Sequence, residues 1–329
     1  MNPLSLAKKP RLPRLRRATP EALPAFRLTK RDDAIIQAIY DYRAMTTPQI
    51  EALLFPPNGG QEHFTKTTRC QYRLKLLYHH GYLARHEQPQ KIGEGKKPLI
   101  YTLDELGAKF IAERQEVALT KLDWSPNDTI VSSAFLEHWL STNDLRLAIT
   151  LAAKNHDWQI ITWRDEKSLK SPQMKDYVAL VGPQGGEDRA AVVPDGYFRL
   201  DTRDDVYNFF LEIDRGTVTG EASVWDRRDW GRKVRAYREY HRSGKYEVRY
   251  HTADLRILTI TIGERRLANL KSITESAGGG GRFWFTTFAK ITAQSVLIEP
   301  IWQVAGRNEL YPIKTARNDS HHELGLKGL

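Results

Sequence analysis

The chain has 329 residues, 40% hydrophobic and 27% charged, a usage that excludes wholesale disorder and fibrous repeats and favours two domains of roughly 100–200 residues each. Lysine and arginine outnumber aspartate and glutamate 50 to 40, a net charge of +10 that favours polyanionic partners. No run approaches the roughly 18 consecutive apolar residues of a membrane-spanning helix, and the single Cys70 excludes internal disulfides and multi-cysteine zinc sites, which points to a reducing, cytoplasmic setting.

Residues 1–27 read as a basic flexible tail, with Lys8, Lys9, Arg11, Arg14, Arg16, Arg17 and Arg27 against Glu21 alone. Its prolines, Pro3, Pro10, Pro13, Pro20 and Pro24, forbid a continuous helix, and no apolar segment of a secretory signal is present. An arm that follows a phosphate backbone is the functional reading, and a solvated tail is the alternative.

A first domain is expected over residues 28–113. Thr29 followed three residues later by Asp32 is a helix start, and Ala34, Ile35, Ala38, Ile39 and Tyr42 recur at helical spacing behind it. Thr47 as N-cap with Pro48 opens a short second helix carrying Ile50, Leu53 and Leu54. After the turn-rich Phe55-Pro56-Pro57-Asn58-Gly59-Gly60, a third helix sets Cys70, Leu74 and Leu77 on one face and polar residues on the others, and Gly81 closes it. Two strands follow, Tyr82-Leu83-Ala84-Arg85 and Leu99-Ile100-Tyr101-Thr102, joined by a basic connection with Lys91, Gly93, Gly95, Lys96 and Lys97.

Three helices and a hairpin in this order resemble the winged helix-turn-helix fold, and Thr102-Leu103-Asp104-Glu105-Leu106-Gly107 is similar to the helix that closes such domains. The resemblance implies double-stranded DNA as partner. The third helix would then enter the major groove with Thr67, Thr68, Arg69, Gln71, Tyr72, Arg73 and Lys75, while Lys96 and Lys97 on the wing touch backbone. A protein-protein module, in which the same residues form a solvated face, is the alternative.

Residues 114–126 read as a linker and 127–305 as a second domain. A helix is expected over 131–153, strands over 158–163, 190–200 and 206–214, a helix over 226–243, a strand over 255–262, a helix over 264–275 and a strand over 282–287. Helices alternating with strands predict a mixed α/β sheet. In Phe209-Phe210-Leu211-Glu212-Ile213-Asp214-Arg215 the alternation turns Glu212 and Asp214 to one face. Val193-Pro194-Asp195-Gly196 places another carboxylate at a bend. Clustered carboxylates raise one another's pKa unless a cation neutralises them, so the group is a hard-metal site or part of an ion-pair network. Lys233 shares the sheet-facing stripe of Trp230, Val234 and Tyr237 and requires an anionic partner there.

These segments resemble the PD-(D/E)XK nuclease superfamily. More closely, the winged helix followed by Pro-Asp-Gly-Tyr-Phe, Phe-Leu-Glu-Ile-Asp-Arg-Gly and the Lys233 to Tyr240 segment is similar to the replication-relaxation proteins of plasmids and mobile elements, from about Thr29 to Trp302. The fold class implied is α+β, an N-terminal winged helix-turn-helix followed by an α/β nuclease-like domain with a mixed sheet. The resemblance implies that Asp195 and Glu212, with Asp214 beside them, hold Mg2+ or Mn2+, and that Glu137 or Asp144 completes the site. It departs from the superfamily where the motif lysine, two residues after the glutamate, is replaced by Asp214; Lys233 or Arg215 would have to take that role. A metal-dependent nickase or endonuclease and a catalytically silent DNA-binding factor both stay open, as does a regulator whose second domain senses a ligand in an apolar pocket.

Between residues 226 and 245 eight basic residues stand against three acidic ones, making Arg228, Arg232 and Arg235 phosphate-contact candidates. A relaxase or replication protein is the partner class that the family implies, no membrane is expected, and no heptad seam indicates an oligomeric state. Gly278-Gly279-Gly280-Gly281 lacks the ending of a phosphate loop, His79-His80 and His321-His322 lack spaced zinc ligands, and Ser132-Ser133 near His138 lacks a nucleophile turn. Residues 306–329 read as a polar, frayed tail.

Overall fold

The computed structural model describes residues 12–13, 16–55, 63–90, 93, 95–126, 133–181, 186–216 and 229–314. Residues 1–11, 14 and 15 of the basic tail, the turn at 56–60, Lys91, Ser132, Trp225, Arg228 and the His321-His322 pair lie outside the described residues. The chain divides into two compact units, residues 1–143 and 144–329, and its architecture is α+β with a mixed sheet in the second. No helix among the described residues is long and apolar enough to cross a membrane.

In the first unit, α1 (Lys30–Tyr42) begins at the expected cap: the Thr29 side chain accepts from the Asp32 N–H, and the Asp32 carboxylate accepts from the Thr29 N–H at 2.7 Å. After β1 (Ala44–Thr46), helix α2 (Thr47–Leu54) is capped by Thr46, one residue earlier than expected. That shift lets Gln49 reciprocate, accepting the Thr46 N–H at 2.8 Å. Pro48 still falls in the first turn, where no N–H is required.

Next come α3 (His63–His79), β2 (Leu83–His86) and β3 (Ile100–Leu103). β3 pairs antiparallel with β2, and β1 takes its other edge. Three residues are too few for β1 to show a period. α4 (Glu105–Arg114), capped by Asp104, closes the unit. It approaches so tightly that a Cβ on Gly107 would lie 2.2 Å from the Tyr82 carbonyl oxygen, so only glycine fits. Ile35, Ile39, Ile50, Leu74, Leu77, Leu83 and Ile111 form the core.

Two features depart from the expected boundaries. The first unit reaches past residue 126 into α5 (Ser133–Asn155). Leu140 packs with Ala44 and Ile100, and the Asn143 amide donates to the carbonyls of Tyr42 (3.0 Å) and Ala44 (2.6 Å). Moreover, residues 16–27 include docked chain. Arg17 donates to the carbonyls of Tyr78 and Leu83, each at 3.1 Å, and Phe26 stacks on His80 at 4.6 Å. The prolines rule out a long helix here, and the chain lies on the surface as an extended segment with one 3-10 turn at Pro20–Ala22, where proline opens the turn.

In the second unit the order is β4 (Gln159–Asp165), α6 (Glu166–Leu169), β5 (Asp176–Val181), β6 (Glu187–Val192), β7 (Gly196–Asp201), β8 (Val206–Asp214), α7 (Trp230–Arg242), α8 (Lys245–Tyr250), β9 (Arg256–Thr261), α9 (Glu264–Ser276), β10 (Phe283–Thr287), β11 (Trp302–Val304) and β12 (Leu310–Tyr311). The main sheet runs β12-β11-β10-β9-β8-β7-β4, with β8, β9 and β10 parallel and the other neighbours antiparallel. The expected strand over 190–200 is two strands: β6 pairs with β5 in a separate hairpin, and β7 joins the main sheet. Pro194 causes the break because it brings no N–H to a ladder.

Strand β8 runs through the middle of this sheet and is buried from Asn208 onward. Phe209, Leu211 and Ile213 pack with Leu145, Ile149 and Trp302 on one face. Phe210 packs with Trp230, Val234 and Tyr237 of α7 on the other. Burial of each large side chain contributes about 1.5–3 kcal/mol, so the register that directs Glu212 toward α7 is fixed by its apolar neighbours.

Candidate functional site

The alternation of β8 carries Glu212 to the α7 side, where its side chain is 4% exposed. Lys233 Nζ donates to Oε2 and the Tyr237 hydroxyl donates to Oε1. The two donors are four residues apart and so share one face of α7. Burial pushes the Glu212 carboxyl up to about 7, opposed by the Lys233 charge and reinforced by that of Asp195. Burial pulls the Lys233 ammonium down, but the Glu212 and Asp195 charges outweigh it and hold its pKa above the ordinary lysine value. Lys233 is therefore a proton-bearing cation at neutral pH, not a base. Tyr237 is raised well above the ordinary phenol range by burial and then by Glu212, so it stays a donor.

Asp195 stands where β7 begins after the Pro194 bend. Its N–H donates to the Leu211 carbonyl at 2.9 Å, and its Oδ2 accepts the Ile213 N–H at 2.7 Å. The carboxylate is thus fixed against the backbone flanking Glu212. A residue absent from the sequence expectations completes the group: Glu166, first residue of α6, offers an oxygen within 4.8 Å of one on Asp195, and its charge acts on Lys233. The usable signal was Asp165-Glu166 directly after a strand, with Asp165 capping α6 by accepting the Ser168 N–H at 2.8 Å. Of the acidic residues expected from the long helix, Glu137 lies in the first unit, 4.0 Å from Lys97, and Asp144 is exposed.

Asp214 shares the Glu212 face but has its own partners. Arg266 donates to both its oxygens at 2.9 and 3.0 Å, and the Thr261 hydroxyl donates at 2.6 Å. Arg215 is half-buried at the end of β8. Glu166 and Asp195 offer oxygens close enough to share a cation, and carboxylate oxygens suit Mg2+ or Mn2+, while both Glu212 oxygens accept from Lys233 and Tyr237 and its charge acts with that of Asp195.

In the first unit, Thr68, Arg69, Gln71 and Tyr72 are exposed in the middle of α3, with Tyr72 57% exposed. Lys75 is half-buried and Lys96 exposed. Thr67 donates to Glu51 at 2.8 Å. Arg73 turns inward instead, donating to Asp32, which is fully buried, and lying 5.1 Å from the Phe26 ring. On α7, Arg232 pairs with Asp188, and Arg235 lies 3.6 Å from Asp229. Cys70 is buried and its thiol is pushed up to about 12 by burial and then by the Glu51 charge, so it is inert.

Fold and cluster together define an α+β protein with a carboxylate and lysine group beside its central strand. A family model described as replication-relaxation matches residues 36–255, and the chain belongs to that family. No curated protein matches the chain. Among solved structures, that of restriction endonuclease FokI is similar at 10% identity and a TM-score of 0.26, over 81% of this chain and 44% of that one. This chain therefore spans less than half of that structure's length, and at such a score the likeness does not define the fold.

Proposed function

We propose that this is a duplex DNA-binding protein of a mobile element, in which a winged helix-turn-helix positions a PD-(D/E)XK-like domain that hydrolyses a phosphodiester. The observation that carries the reading is the meeting of Glu166, Asp195 and Glu212 with Lys233. The departure at Asp214 is met by a lysine on α7, which reaches Glu212 from the helix rather than from the strand. Support for the winged helix comes from the order α1-β1-α2-α3-β2-β3 and from the exposed Thr68, Arg69, Gln71 and Tyr72 of α3, polar side chains of the kind a recognition helix turns to base edges.

Glu166 and Asp195, whose oxygens approach within 4.8 Å, would hold a hard divalent cation, with the buried Glu212 carboxylate acting on Asp195 from the next strand. Bound there, the cation would supply charge stabilisation and an activated water. Asp195 is oriented for this by the Ile213 N–H, and Glu212 by Tyr237. Lys233, keeping its proton, places a fixed positive charge where a scissile phosphate develops negative charge.

A second reading has its own observation. Both Glu212 oxygens already accept bonds, from Lys233 and Tyr237, so this buried carboxylate is satisfied without a metal, as in a DNA-positioning factor without catalysis. Supercoiled plasmid incubated with the protein in Mg2+, Mn2+ or EDTA separates the two readings. Metal-dependent nicking or linearisation, lost in Asp195→Ala and Glu212→Ala while the gel shift persists, is expected. A shift without strand breakage would overturn the nuclease half of the proposal, and no shift would overturn the DNA half.

A further inference from the structure

The second unit carries an open cleft of about 990 Å³ between the β5–β6 hairpin and α8, away from the carboxylates in its residues and chemistry. Its acidic members are already neutralised. Asp176 accepts from Arg249, one bond at 2.6 Å, and from the Tyr240 hydroxyl, while Asp188 accepts from Arg232. Three further cations line the cleft, Lys175, Arg189 and Lys245; none forms a direct salt bridge among the described residues, and Lys245 acts on Asp176 only through its charge.

Tyr177 organises them. The Arg189 guanidinium lies 3.7 Å from its ring centroid and the Lys175 ammonium 5.5 Å, while Lys245 Nζ donates to the Tyr177 carbonyl at 2.7 Å. Register places Arg189 opposite Ala179, on the same outer face as Tyr177, and the small Ala179 leaves room above the strand. Cations held on a ring are displayed at fixed positions. They also engage the aromatic surface, so the ring is not a stacking platform for a base. A row of oriented cations without a stacking surface or direct salt bridges suits a phosphate backbone rather than base edges.

We propose that this cleft is a second DNA contact, in which Lys175, Arg189 and Lys245 grip the phosphodiester backbone without reading sequence. The proposal rests on the DNA-binding reading above. The hairpin is tied to α7 through Asp188–Arg232 and Tyr240–Asp176, and α7 also carries Lys233. DNA held in the cleft would thus be anchored to the helix that serves the carboxylates.

The test is fluorescence-anisotropy binding of two unrelated duplexes to the full chain across a salt series, comparing wild type with the triple variant Lys175→Ala, Arg189→Ala, Lys245→Ala. Each lost phosphate contact lowers the slope of log affinity against log salt by about 0.9, so the variant should lose about 2 to 3 units of slope and weaken equally on both duplexes. Arg189→Glu alone, with circular dichroism to confirm folding, provides a second probe and should weaken both duplexes. An unchanged slope in a wild type that binds DNA overturns this inference and leaves the DNA reading standing. Loss confined to one duplex overturns the backbone assignment. Failure of wild type to bind either duplex overturns both.

Discussion

Replacing Glu212 by glutamine tests whether the carboxylate is held at a cost to the fold. Glu212 is 4% exposed and its folded-state pKa stands at about 7, above the ordinary 4.5. An acid raised in the folded state binds more protons folded than unfolded between those two values, so stability falls as pH rises through that window. With 1.36 kcal/mol per pKa unit, the wild type should lose about 2 to 3 kcal/mol between pH 5 and pH 8 from this group. Glu212→Gln removes the titration. Urea unfolding followed by circular dichroism at both pH values should therefore show a pH-dependent loss that is smaller by that amount in the variant. Lys233 stays protonated throughout the window and leaves the sign unchanged. Equal pH slopes in the two proteins would refute the reasoning.

Three further outcomes follow from the same geometry. Arg73→Ala leaves fully buried Asp32 without its guanidinium and should cost about 3 kcal/mol of stability, read by urea titration, with no change in the DNA salt slope. Gly107→Ala drives a Cβ to within 2.2 Å of the Tyr82 carbonyl, a backbone clash that should cost about 3 kcal/mol or more and lower the thermal midpoint. Arg69→Ala removes an exposed cation from α3 and should reduce the DNA salt slope by about 0.9 with little effect on stability.

Local rules made much of this legible. The Thr29 and Asp32 capping box, the alternation that turns Glu212 inward and the spacing that puts Lys233 on the sheet-facing side of α7 each rest on neighbours within a few residues. Long-range pairing was not legible. Asp214 has the same alternation as Glu212, yet its partner Arg266 is 52 residues away, so period alone could not separate a site carboxylate from a structural one. Arg73 looked like a groove-facing residue because nothing in its helix shows that Asp32, 41 residues earlier, draws it inward. Glu166 sits on a four-residue helix with no period of its own. The strands β1, β11 and β12, two or three residues each, exist because a neighbouring edge accepts them.

The most direct test of the central claim is titration calorimetry of Mn2+ into the full chain, because it interrogates the carboxylate cluster without requiring turnover or a known DNA site. The account predicts saturable binding by wild type that Glu166→Gln, Asp195→Asn and Glu212→Gln each weaken by about tenfold or more. Wild type that takes up no Mn2+, or variants that bind it as wild type does, would contradict the assignment of these three residues as a metal centre.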